Sequence, residues 1–192
     1  PRQLFVITDG KGGLANTLVS LQGTFRAAAP APEPARIIQR DCHYEPRVIA
    51  ARVGQTLRIV NQDTTLHNLH SQSTKNPFNV TQPKSGMVFD YPLKAADLFL
   101  RLTCDVHRWM VGYVAVFTHP YYAVTSTDGS FTIANVPAGR HTIKTWHERF
   151  GEQTRTITVA DGKTVTVDLR YDVKAPVKRS ARLRDVVVPA TE

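Results

Sequence analysis

Apolar side chains in this chain recur at every second position and nowhere keep a helical period, which restricts it to β-structure. Leu98, Leu100 and Leu102 alternate with Phe99, Arg101 and Thr103, while Val165, Val167 and Leu169 alternate with Thr164, Thr166 and Asp168. Successive side chains of a strand point to opposite faces, so runs of this kind bury one face and wet the other. Turn signals separate them: Asp9-Gly10, Gly12-Gly13, Asp128-Gly129, Pro137-Ala138-Gly139 and Asp161-Gly162. One short turn of helix within residues 93–98 is the only helical expectation. The predicted class is all-β, built as sandwiches or barrels.

The 192 residues suffice for one large domain or two small ones. No apolar run approaches the roughly 20 residues a membrane helix needs, so no transmembrane segment is expected. Because the sequence opens at Pro1 without a signal sequence, it is expected to be a processed mature form or an incomplete chain. The formal net charge is +8, and Lys174, Lys178, Arg179, Arg182 and Arg184 concentrate it near the C-terminus. Such a tail is expected to dock on an acidic protein face or on anionic lipid. A nucleic-acid partner is not expected, because no binding motif and no basic stretch interleaved with aromatics is present.

Texture divides the chain. Residues 27–35 hold three prolines, which remove ladder donors, and read as an extended linker. Residues 36–118 contain both cysteines, both methionines and four of the histidines. Residues 119–172 are Thr/Val-rich with Gly turns, and residues 173–192 form the basic tail, with a late Val186-Val187-Val188 run.

The chemistry concentrates in Cys104-Asp105-Val106-His107-Arg108-Trp109-Met110, which supplies a thiolate, an imidazole and a thioether within one short loop. Cys104 shares parity with Leu100 and Leu102, so its sulfur is expected to point inward. Two imidazoles and a thiolate with a weak axial thioether make a mononuclear copper site. A second imidazole is available in Asn61-Gln62-Asp63-Thr64-Thr65-Leu66-His67-Asn68-Leu69-His70. The order Tyr44-x-Pro46-x-Val48, Gly54-x-Thr56-x-x-Ile59-x-Asn61, His67-Asn68 and then C-x2-H-x2-M resembles the cupredoxin family, in particular its amicyanin/plastocyanin-like members. The resemblance covers about residues 36–118 and implies a Greek-key barrel. It also implies His67, Cys104, His107 and Met110 as copper ligands, with Asn68 tying the two ligand loops together. His70 is an alternative to His67 and is expected to face solvent.

Cys42 leaves the cofactor open. A pair of cysteines suits either a disulfide between Cys42 and Cys104 or one metal-binding thiolate beside a second thiol, so copper requires Cys104 to be free. Cys42 is expected on a strand beneath the metal end, with His43 on the opposite face. Arg108 stands where amicyanin-like loops usually have proline, and puts a fixed charge beside His107. His119, His141 and His147 have no ligand-spaced partner, and His147 is expected to be a packed or hydrogen-bonded surface residue.

Residues 125–143, with the pattern T-x-x-D-G-x-F-x-I followed by V-P-x-G, resemble the carboxypeptidase regulatory-like domain, a small Ig/transthyretin-like β-sandwich. Residues 6–21 fit the opening strands of that module. The expected organisation is therefore a discontinuous sandwich of residues 1–26 and 119–172, with the barrel inserted; the alternative adds residues 1–26 to the barrel edge.

These resemblances imply a periplasmic or extracytoplasmic electron-transfer protein rather than an enzyme, since the ligand set leaves no open coordination position. A cytochrome c or a membrane-bound redox complex is the expected partner. The alternative is a copper-free accessory subunit docked on the periplasmic face of a photosynthetic or respiratory complex. A copper carrier or store is disfavoured by the few Met and His residues.

Overall fold

The computed structural model describes residues 8–26, 29–30 and 32–172. The basic tail, the expected strand at Val6 and Ile7, and Ala27, Ala28 and Ala31 of the linker lie outside the described residues. Within them the protein is all-β and has no helix.

Two sheets enclose the main core. One is built from β2 (Ala35–Arg40), β3 (His43–Glu45), β5 (Thr56–Asn61) and β8 (Val88–Pro92), in the order β3-β2-β5-β8. The other combines β4 (Val48–Arg52), β6 (His67–Ser71), β7 (Asn79–Gln82), β9 (Asp97–Thr103) and β10 (Val111–Phe117), in the order β4-β10-β9-β6-β7. The pairs β2/β5 and β4/β10 are parallel, and the remaining pairs antiparallel. Ile37, Leu57, Ile59, Leu69, Leu100, Leu102 and Met110 lie between the sheets with no exposed surface. Each such side chain contributes about 1.5–3 kcal/mol by leaving water.

The alternation in β9 is broken once. The β9/β10 ladder pairs Val114 with Leu100 but Val116 with Asp97, so β9 carries an extra residue there. A bulge of this kind reverses facing beyond it. Leu100 and Leu102 point into the core, whereas Leu98 is 43% exposed.

A third sheet, β11-β1-β12-β13, contains β1 (Leu18–Leu21), β11 (Tyr122–Val124), β12 (Gly139–His147) and β13 (Gly151–Val159). β1 lies inside this sheet, with Leu18 opposite Val124 on one side and Trp146 on the other. Leu18 and Trp146 pack on Val48, Ala115 and Phe117, so the third sheet lies against the outer face of the five-stranded sheet. This accounts for the unbroken apolar run of β10: Val114 and Val116 face the main core while Ala115 and Phe117 face the third sheet. Arg47 and Glu148 clamp the same junction. Both side chains are under a tenth exposed; Arg47 Nε and Nη2 donate to the two carboxylate oxygens, and Nη1 donates to the Val111 carbonyl.

The outer face of the third sheet, with Val19, Leu21 and Ile143, is covered by Phe131, Ile133, Val136, Val167 and Leu169. Of the residues in 125–133 and 164–169, Phe131, Ile133, Val167 and Leu169 are partly buried whereas Val165 is 39% exposed, and neither segment forms a strand. The Asp128-Gly129 turn is formed, with the Ser130 N–H donating to Asp128 Oδ1 at 2.9 Å. Residues 93–98 contain no helical turn.

Candidate metal centre

Strand β9 ends at Thr103 and delivers Cys104 into the core, where it is 2% exposed. Six residues later Met110, fully buried, leads into β10. The loop between them is closed by its own backbone: the Cys104 N–H donates to the Met110 carbonyl at 3.3 Å, and the Met110 N–H to the His107 carbonyl at 2.8 Å. This closure holds His107 over the sulfur. Cys104 Sγ receives the Asn68 N–H and the His107 N–H, each at 3.4 Å.

His67 opens β6 and has no exposed surface. Its Nε2 lies 2.7 Å from Asp63 Oδ2. An ionised carboxylate only accepts, so Nε2 carries the proton and Nδ1 presents a lone pair. Burial alone would push the Asp63 carboxyl up, but hydrogen bonds from Cys42, His67 and Asp41 hold it below the usual carboxylate value. His67 Nδ1 is 3.2 Å from His107 Nδ1, which is 3.7 Å from Cys104 Sγ. The donor atoms of His67, Cys104 and His107 all lie within 4.8 Å of one another. Burial, and then the neighbouring His67, lower the pKa of His107 against a smaller opposing pull from Asp63. The neutral, metal-binding form of the imidazole is therefore favoured.

Two imidazole nitrogens and a sulfur thus converge on one point at the closed end of the barrel, and Met110 packs in the same core cluster as Cys104. The donor set fits a mononuclear copper ion. The supporting contacts are equally specific. Asn68 joins the two loops, its Oδ1 accepting the Asp105 N–H at 3.0 Å, while the Tyr44 hydroxyl donates to the Asn68 carbonyl at 2.9 Å. Burial holds the Tyr44 phenol far above its ordinary pKa, with Cys104 and Asp105 adding to the shift, so it stays a donor.

Cys42 is not on a strand. Arg40 pairs with His43, which leaves Asp41-Cys42 as a two-residue hairpin loop with φ of 51° and 57°. Two consecutive left-handed residues form the primed turn whose twist suits antiparallel strands. The Asp63 carboxylate accepts the Asp41 N–H at 2.8 Å and the Cys42 N–H at 2.9 Å, and thereby fixes the turn beside His67. Both cysteines are free thiols in the structure; the disulfide considered from the sequence is not formed. Sequence reasoning missed Asp63, although its position four residues before His67 on the same loop was a usable signal.

His70 lies away from the cluster, half exposed, with Nδ1 3.0 Å from Asp105 Oδ1. His147 is not a surface residue. It is 1% exposed and stacked on Phe150, and its Nε2 has no hydrogen-bond partner. His119 is also buried, against Phe25 and Phe117. His141 bonds through Nε2 to the Pro137 carbonyl.

Residues 113–172 match the family model of the carboxypeptidase regulatory-like domain. That stretch begins within β10 and runs through β11, β12 and β13. The chain is also similar to solved cupredoxins. A purple cupredoxin from Nitrosopumilus maritimus is 25% identical, with a TM-score of 0.39, over 43% of this chain and 99% of that one. The Cu(I) form of an amicyanin mutant is 21% identical, with a TM-score of 0.40, over 52% of this chain and 98% of that one. A copper-containing nitrite reductase from Thermus scotoductus SA-01 is 21% identical, with a TM-score of 0.39, over 50% of this chain and 25% of that one. Comparison with curated proteins gave no significant sequence match.

Proposed function

We propose that this protein is a cupredoxin-type electron carrier with one copper ion held by His67, Cys104, His107 and Met110. The observation that carries the reading is the convergence of His67 Nδ1, His107 Nδ1 and Cys104 Sγ at a buried point. Copper bound there supplies a one-electron couple. The chain's own residues do the rest: Asp63 fixes the His67 tautomer, Asn68 and His107 N–H groups steady the sulfur, and the sheets keep the ligands still in both oxidation states. Because the four ligands fill the coordination shell, the reading is not that of an enzyme.

His107 is half-buried with its ring 5.1 Å from that of Trp109, and Leu66, Val106 and Trp109, neighbours in sequence of the two histidine ligands, are 37%, 56% and 39% exposed. In this reading the electron leaves through that imidazole to a partner seated on the apolar patch, with Arg108 selecting an acidic face. A cytochrome c or a membrane-bound redox complex in the periplasm is the proposed partner. The proposed organisation places the barrel, residues 36–118, as an insertion in a sandwich of residues 1–26 and 119–172, for which the pairing of β1 with β11 and β12 is the support. Stopped-flow oxidation of the copper-loaded protein by a cytochrome c tests the transfer; absence of reaction with every c-type acceptor tried, from a fully loaded protein, would sink it.

A further inference from the structure

His67 presents its two ring nitrogens to two different sets of donors. Nδ1 faces His107 Nδ1 at 3.2 Å, within the cluster completed by Cys104. Nε2 faces Asp63 Oδ2 at 2.7 Å on the other side, and Cys42 completes a second group there. One ligand atom from each of Cys42, Asp63 and His67 lies within 4.8 Å of the other two.

We infer that Cys42, Asp63 and His67 Nε2 form a second metal position for a thiophilic d10 cation such as Zn(II), bridged to the first position by the His67 ring. A thiolate, an imidazole and a carboxylate are the donors such a cation takes, and three protein ligands leave its fourth tetrahedral position to solvent. Solvent is at hand, since Cys42 is half-buried and the Asp63 side chain is 15% exposed.

The backbone holds the three donors together. Cys42 occupies a left-handed position, with φ of 57°. That conformation costs an ordinary L-residue about 1–2 kcal/mol and costs Gly nothing. Asp63 accepts the Asp41 and Cys42 N–H groups and so fixes the turn beside itself, with the Cys42 ligand atom within 4.8 Å of those of Asp63 and His67.

The binding step is a proton exchange without redox change. A divalent cation on the second position releases the Cys42 thiol proton to solvent and takes the His67 Nε2 lone pair, the ring proton passing to Nδ1 or, where the first position is filled, to solvent, while Asp63 moves from accepting that N–H to ligating the cation. The inference rests on the proposed copper site only in sharing His67.

Cadmium is the probe, because each Cd(II)–thiolate bond adds ultraviolet charge-transfer absorption that can be set against bound metal measured by dialysis. The full chain, reduced and metal-free, should bind two equivalents. Cys42→Gly relieves the left-handed strain, so it should fold at least as stably yet bind one; Cys104→Ser should also bind one and keep the other thiolate band. One equivalent in the unsubstituted protein, unchanged in Cys42→Gly, overturns the second position and leaves the first standing. Two equivalents that persist in Cys42→Gly also overturn it. No bound cadmium in any form would overturn both sites.

Discussion

His67 and His107 face each other nitrogen to nitrogen, with their Nδ1 atoms 3.2 Å apart at the closed end of the barrel. Because Asp63 holds a proton of His67 on Nε2, a proton on either Nδ1 or a cation between the rings reconciles the close contact. Asp63 is therefore the positioning residue of the centre. Asp63→Asn should lower copper affinity about 10- to 100-fold without emptying the ligand set, the usual loss when a group orienting a metal-bound histidine is changed. Competition against a chelator of known affinity measures it, and an unchanged affinity would remove Asp63 from this role.

Asn68 links the two ligand loops through the Asp105 N–H and the Asn79 side chain. Its replacement by Ala strands those partners and should destabilise the fold by about 1–3 kcal/mol. Urea unfolding of the metal-free protein gives the number. A loss confined to the loaded protein would place the role of Asn68 in the metal and not in the loops.

The Arg47–Glu148 pair is buried between the barrel and the third sheet. Removing one partner leaves a buried charge alone, so Glu148→Gln or Arg47→Met should each cost about 3–5 kcal/mol. The double variant Arg47→Met/Glu148→Leu should cost far less than the sum. Additive losses in the denaturation cycle would show that the two side chains do not act as a pair.

Burial lowers the pKa of His147 below the ordinary 6.5, against an opposing pull from Glu148 and with a smaller contribution from Arg47 in the same direction. The unfolded chain therefore binds more protons as the pH falls below 6.5, and stability declines until the folded His147 is protonated as well. His119 acts with the same sign, through burial and then Arg52. Unfolding free energy should decrease between about pH 7 and about pH 5, less steeply in His147→Phe, which keeps the stack on Phe150. Parallel slopes for the two proteins would contradict this.

Much of the centre was legible in the sequence because its ligands are local. Cys104, His107 and Met110 lie on one loop whose length fixes their mutual reach, and the His67-Asn68 pair opens β6 after the short loop that follows β5. Cys42 was misplaced because its position depends on a primed turn in which Asp41 is the only customary residue and Cys42 stands where Gly is usual. His147 and the Arg47–Glu148 pair were invisible for another reason: the sheet packing that buries them joins residues about a hundred positions apart. The bulge in β9 likewise turned Leu98 outward against the alternation that makes it look like a core residue.

The most direct test is the visible spectrum of the reduced, metal-free protein after one equivalent of Cu(II). The account predicts an intense thiolate-to-copper charge-transfer band that is abolished in Cys104→Ser and retained in Cys42→Gly. A colourless sample, with both thiols titrated as free beforehand, would contradict the copper reading and leave the protein as a copper-free docking subunit.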